Sequence, residues 1–166
     1  MKKKLLILGG TGFVGLNILK YAIKKDFSIV SVSKNKKPYI KIKFEKNVVF
    51  LNLDITYKKN LIKLFSKYEF DYIINASGYV NHSNNKKIIK EHYTLIKNLI
   101  NVLKNKKIKS LIQLSSGLEY GNYPPPHFEN AACKPRSLYA KSKNNSTKLL
   151  MNTFKQNVLT LVETSA

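Results

Sequence analysis

The chain has 166 residues, 43% of them hydrophobic, and a formal net charge of +21. That length suits one domain, residues 1–166, which would hide roughly 70% of its unfolded surface, and the composition excludes a disordered chain. The charge invites a polyanion, yet it is almost all lysine spread over nearly every segment, with Arg136 the only arginine; base readout and phosphate forks favour arginine, so we expect no specific nucleic-acid partner, only nonspecific attraction at low salt.

The start, "MKKKLLILGG", is basic and then apolar, but Leu5–Leu8 is too short for the apolar region of a signal peptide. No apolar run reaches the ~18 residues of a membrane span. We therefore expect a cytoplasmic protein whose first buried strand is Lys4–Leu8. Gly9–Gly15 is a turn. Phe13–Lys25 places Val14, Ile18, Leu19, Ala22 and Ile23 at helical spacing. "FSIVSVS", Phe27–Ser33, is β-branched and alternating, a second strand. "NKKPYIKIKFEK" is a basic connection interrupted by proline. Val48–Asp54 reads as strand three, Asn60–Lys67 as a short helix, Asp71–Ser77 as strand four, Lys87–Asn105 as one amphipathic helix, and Ser110–Ser116 as strand five. Three consecutive prolines keep "YGNYPPPHFENAACKP" from being helical. It holds Cys133, the only cysteine, which excludes an intramolecular disulfide and a cysteine-based zinc cluster. Ser137–Lys155 is a helix and Val158–Val162 a sixth strand. Strands alternating with helices predict an α/β fold, a doubly wound parallel sheet of Rossmann type with six strands and right-handed crossovers.

Gly10, Gly12 and Gly15 fit G-x-G-x-x-G, and Gly9, Gly12 and Gly15 fit G-x-x-G-x-x-G, between a strand and a helix. The first glycines permit a sharp turn, Gly12 lets backbone approach a pyrophosphate, and Gly15 lets the helix pack on the strand. The helix N-terminus at Phe13 and Val14 offers free N–H groups and a positive dipole end. In dinucleotide folds a carboxylate closing the second strand holds the adenosine ribose. Here Ser33 stands there, followed by Lys34, Lys36 and Lys37. A hydroxyl and ammonium groups suit a 2′-phosphate, so NADP is favoured over NAD; the alternative is a solvated lysine loop.

"SLYAKSK" sets Tyr139 and Lys143 at Y-x-x-x-K spacing on one helix face, and "LSSGLEYG" puts Ser115 and Ser116 at the end of strand five. With "GGTGFVG", "LNLDIT" and "INASG", from about Lys4 to Val162, the chain resembles the extended short-chain dehydrogenase/reductase family, its nucleotide-sugar epimerases, dehydratases and reductases above all. The resemblance implies that Gly9, Gly12 and Gly15 shape a pyrophosphate site, with Asp54 accepting from the adenine amino group and Ile55 beside the ring. It implies further that Asn75, Ala76 and Ser77 line the cofactor, and that Ser116, Tyr139 and Lys143 are catalytic, the last two also touching cofactor. A free tyrosine, with a pKa of about 10, is a poor base; a neighbouring ammonium favours the phenolate, which then moves a proton to or from a sugar hydroxyl. The expected partner is a nucleotide-sugar, with a homodimer as the candidate assembly.

The resemblance is incomplete at three places. His92 stands where many relatives carry the asparagine of N-x-x-G-T, and Leu95 replaces its glycine. Relatives run to about twice this length and carry a second region that grips the nucleotide-sugar, so a substrate-binding C-terminal region is expected to be absent. Relatives also often end strand six with an arginine, where this chain has Glu163. Turnover by the isolated chain is expected to be weak or nil, and the alternative reading is a dinucleotide-binding module completed by a partner. The proline-rich segment before the tyrosine helix looks like that of members acting on deoxysugar nucleotides, such as 4-keto-6-deoxyhexose reductases or epimerases. His82, His92 and His127 are not spaced as a metal cluster.

Overall fold

A computed structural model describes residues 2–34, 47–79, 81, 83–122, 124 and 126–154, together with the backbone of 158–161. His82 and Glu163, and the whole "NKKPYIKIKFEK" connection with Lys36 and Lys37, lie outside the described residues.

The strands are β1 (Lys3–Leu8), β2 (Phe27–Ser33), β3 (Val48–Asn52), β4 (Tyr72–Asn75), β5 (Ser110–Leu114) and β6 (Val158–Leu161). They form one parallel sheet in the order β3-β2-β1-β4-β5-β6. The chain runs outward from β1 through β2 to β3, then returns to lay β4 against the other side of β1. Between β1 and β4 the order reverses, and in open α/β sheets that switch point opens a crevice at the carboxyl ends of the strands.

β1 is central, and its last four residues are buried on both faces, as a covered parallel strand requires. Alternation sorts them. Leu6 and Leu8 join Val30, Ile73, Leu111 and the helical residues Leu61, Phe65, Leu99, Leu103 and Leu150 in the larger core cluster. Leu5 and Ile7 face the other way, with Ile29 and with Leu19 and Ala22 of α1 (Phe13–Ile23). The larger cluster draws on α2 (Lys58–Lys67), α4 (Leu95–Leu103) and α5 (Leu138–Thr153). Among the described residues no helix is long and apolar enough to cross a membrane.

Several expected elements end or break differently; strand four, for one, stops at Asn75, whose side chain accepts from the N–H of Ser77 at 3.1 Å and from its hydroxyl at 2.5 Å. Strand three stops at Asn52, because Asp54 folds back and its Oδ1 accepts from the N–H of Thr56 at 2.9 Å and from its hydroxyl at 2.6 Å. Strand five stops at Leu114, and Ser116 caps a single 3₁₀ turn, Gly117–Tyr120, accepting from the N–H of Leu118 at 3.3 Å. The helix expected over Lys87–Asn105 is three pieces: α3 (Asn85–Ile89), a π turn (Lys90–Thr94) and α4. The Asn84 side chain starts it by accepting from the N–H of Lys87 at 2.9 Å. Within the π turn the consecutive side chains Glu91 and His92 are both buried, at 8% and 4% exposure.

Candidate active site

The glycine turn sits at the switch point. Gly9 has φ of +82°, and a Cβ there would lie 2.7 Å from the Ser77 backbone, so only glycine fits between β1 and the exit of β4. A Cβ on Gly15 would overlap the Gly9 carbonyl, which is why α1 can rise so close behind the turn. Gly12 differs: a Cβ there meets only the Gly9 carbonyl, at 3.3 Å, so a larger side chain would project into the open space ahead of the helix. Gly12 is also the N-cap of α1, with no side-chain cap and no acidic residue in the first turn. Free N–H groups and the positive end of the helix dipole therefore face outward uncompensated.

In front of the turn lies a cleft of about 310 Å³, lined by Gly9, Thr11, Gly12, Val32, Ser33, Lys34, Ile55, Ala76, Ser77, Gly78, Tyr79, Lys87 and Glu91. Of the residues singled out in the sequence, Gly10, Phe13, Val14, Gly15, Asp54, Asn75, Ser116, Tyr139 and Lys143 are not in that lining; Phe13 is 86% exposed. The Asn75 side chain turns into the sheet, donating to Gln113 Oε1 at 2.8 Å and accepting from the N–H of Ser77 at 3.1 Å. It shapes the exit of β4 from behind.

At one end of the cleft the Ser33 hydroxyl accepts from the N–H of Thr11 at 3.1 Å, pinning the glycine turn to β2. Lys34 is not a free cation. Its ammonium pairs with the Glu91 carboxylate and lies 3.4 Å from Asp54 Oδ2. The NADP preference expected from Lys34 is not supported, because two carboxylates already pair with its ammonium. Partial burial works to raise the Asp54 pKa, but the Thr56 hydroxyl and N–H and the Lys34 ammonium outweigh it and hold the carboxyl below the usual range.

Outside that lining, Tyr139 and Lys143 lie on α5, whose first turn is capped by the Ser137 hydroxyl accepting from the N–H of Ala140 at 3.1 Å. Lys143 is 6% exposed, donates to the Leu114 carbonyl at 2.9 Å, and holds its ammonium 5.9 Å from the centre of the Tyr139 ring. His92 meets that ring edge-on, centroids 5.0 Å apart, and its Nε2 lies 3.0 Å from the Tyr79 carbonyl and 3.3 Å from its N–H. Gly78 joins this group to the cleft: a Cβ there would come 3.0 Å from His92 Cε1 and 3.9 Å from Lys143 Nζ. Ser116 is half-buried at the exit of β5, and Ser115 is turned inward, its hydroxyl 3.2 Å from that of Thr147.

Gly78, Tyr79, Glu91 and Glu119 belong to this region and were not singled out in the sequence. Gly78 closes the "INASG" motif one residue past those chosen. Glu119, 2% exposed, takes a hydrogen bond from Asn144 at 3.4 Å on one carboxyl oxygen and has no partner on the other. Burial pushes its pKa up, against the pull of Asn144 and Lys143. Among the described residues no three His, Cys, Asp or Glu side chains are grouped to hold a metal.

A larger hollow, about 760 Å³, opens at the amino ends of β1, β4 and β5, among Lys2–Lys4, Phe65, Tyr68–Asp71 and Asn105–Lys109. It has no glycine turn, and Lys4, Lys106 and Lys109 are already engaged with Asp71, Glu69 and the Phe65 carbonyl. Chemistry, not size, selects the smaller cleft.

A sheet in this order, with a glycine turn and a bare helix N-terminus at its switch point, defines the dinucleotide-binding class of α/β proteins. The sequence profile of the NAD dependent epimerase/dehydratase family matches residues 5–164, and the chain belongs to that family. It is 27% identical over 122 residues to GDP-L-colitose synthase of Yersinia pseudotuberculosis, covering 70% of this chain and 34% of that one. Its fold is that of the UDP-Glc/GlcNAc 4-epimerase of Campylobacter jejuni, with a TM-score of 0.86, 24% identity, 96% of this chain and 53% of that one covered. The UDP-glucuronic acid 4-epimerase of Bacillus cereus, solved in complex with NAD, gives a TM-score of 0.86 at 18% identity, over 98% of this chain and 56% of that one. The chain thus spans from a third to about half of the length of these relatives.

Proposed function

We propose that this chain carries the cofactor-binding and proton-transfer part of an NAD-dependent enzyme that acts on a nucleotide-activated sugar. The observation that carries the reading is the approach of the Lys143 ammonium both to Gly78, which lines the cleft, and to the ring of Tyr139.

The residues present fit a dinucleotide. Gly12 leaves room for a pyrophosphate, the first turn of α1 bears no carboxylate to repel it, and Ile55 offers an apolar wall for a base. When bound, the cofactor supplies the hydride acceptor or donor. The rest falls to side chains. The Lys143 ammonium, fixed by the Leu114 carbonyl, favours the ionised form of the Tyr139 phenol. Tyr139 Oη then takes a proton from, or returns one to, the sugar hydroxyl that changes oxidation state. The half-buried Ser116 hydroxyl at the exit of β5 is read as the group that bonds the same sugar oxygen.

NAD is the cofactor in this reading, since Lys34 is occupied and the Bacillus cereus protein was solved with NAD. The relatives' names supply the substrate class, nucleotide-sugars carrying GDP or UDP. Calorimetric titration with NAD⁺ tests the site. Gly12→Val should weaken binding at least tenfold, because its side chain fills the approach to the helix N-terminus. Tyr139→Phe should bind NAD⁺ within about threefold of the parent, and should abolish any turnover of GDP- or UDP-sugars that the parent shows. Equal affinity in the Gly12→Val protein would defeat the cleft assignment; undiminished turnover by Tyr139→Phe would defeat the role given to the phenol.

A further inference from the structure

We propose that Glu91 selects the adenosine ribose of the cofactor, favouring NAD over NADP; this rests on the reading of the cleft as a dinucleotide site. Folds of this kind commonly hold the ribose hydroxyls with a carboxylate at the end of the second strand. Here the chain offers Ser33 at that position, and its hydroxyl is already engaged by the Thr11 N–H. The fold brings a carboxylate to the same place from a distant segment. Glu91, in the π turn, reaches the residue that follows β2, contacts the Lys34 ammonium and lines the cleft together with Ser33.

The pairing of Lys34 decides what this end accepts. Lys34 lies between Glu91 and Asp54, and its ammonium is shared by the two carboxylates. Releasing Lys34 to a phosphate would strand Glu91, at 8% exposure, without its cation, and an unpaired buried charge is strongly disfavoured. A ribose with two free hydroxyls offers donors to a carboxylate. A 2′-phosphate brings about two negative charges against two carboxylates. The neighbouring ammonium groups of Lys87 and Lys90 rest over the rings of Tyr79 and Tyr57, at 4.2 and 4.0 Å.

The test is calorimetric titration of the full chain with NAD⁺ and with NADP⁺. The parent should bind NAD⁺ at least tenfold more tightly. Glu91→Gln, nearly isosteric, should narrow that ratio about tenfold, while Glu91→Asp, which keeps the charge, should preserve the preference. Glu69→Gln makes the same charge change at the amino ends of the strands and should leave the ratio unaltered. A parent that prefers NADP⁺ overturns the proposal, and so does a folded Glu91→Gln protein whose ratio stays within twofold of the parent's. If the parent binds neither dinucleotide, the cleft reading itself falls and takes this one with it.

Discussion

A buried carboxyl is tolerated when its oxygens are bonded or when it keeps its proton, and Glu119 has one oxygen bonded and one without a partner. Its folded-state pKa is raised by burial, so the neutral form is the one the fold favours. The sign follows. Stability from this group is fully present below the ordinary glutamate pKa and is lost as pH rises through the raised one. Glu119→Gln removes the ionisation and keeps an acceptor for Asn144. It should therefore raise Tm at neutral pH by about 2–4 °C, the shift that roughly 1 kcal/mol gives a chain of this size. The gain should shrink toward zero below about pH 4, as melts at a series of pH values would show. A neutral-pH Tm equal to the parent's would mean that Glu119 finds its missing partner in solution.

At the scale of elements, much of the architecture was legible because each strand announced itself in apolar runs and each helix in spacing; β1 and α1 fall where the run Leu5–Leu8 and the residues after Gly12 put them. Boundaries were less legible where a polar side chain captured its own backbone. Asp54 and Ser116 end their strands early by hydrogen bonds that no hydrophobic pattern encodes. The π turn was hidden for a related reason: one extra residue in a turn leaves composition unchanged and shows only as two adjacent inward side chains. Caps can be weighed. Ser137 starts the helix that carries Tyr139 and Lys143, and Ser137→Ala should cost about 1 kcal/mol, read from the denaturant midpoint at unchanged slope. Leu99→Ala, in the fully buried seam of α4, should cost about 2–5 kcal/mol in the same measurement.

For the whole molecule, the sequence showed which residue types could meet but not what would already be holding them. Lys34 looked like a free ammonium because its partners, Asp54 and Glu91, lie on segments that only the fold brings together. Gly78 and Tyr79 gained significance only once β4 placed them between the glycine turn and α5. The sheet has two wings that part at the switch point, β2 and β3 on one side, β4 to β6 on the other. From adjacent positions in the π turn, Glu91 grips the first wing through Lys34, and His92 grips the second through the Tyr79 backbone and the ring of Tyr139. The two grips share one short piece of chain, so a substitution that shifts the π turn disturbs both the Lys34 ion pair and the packing against Tyr139.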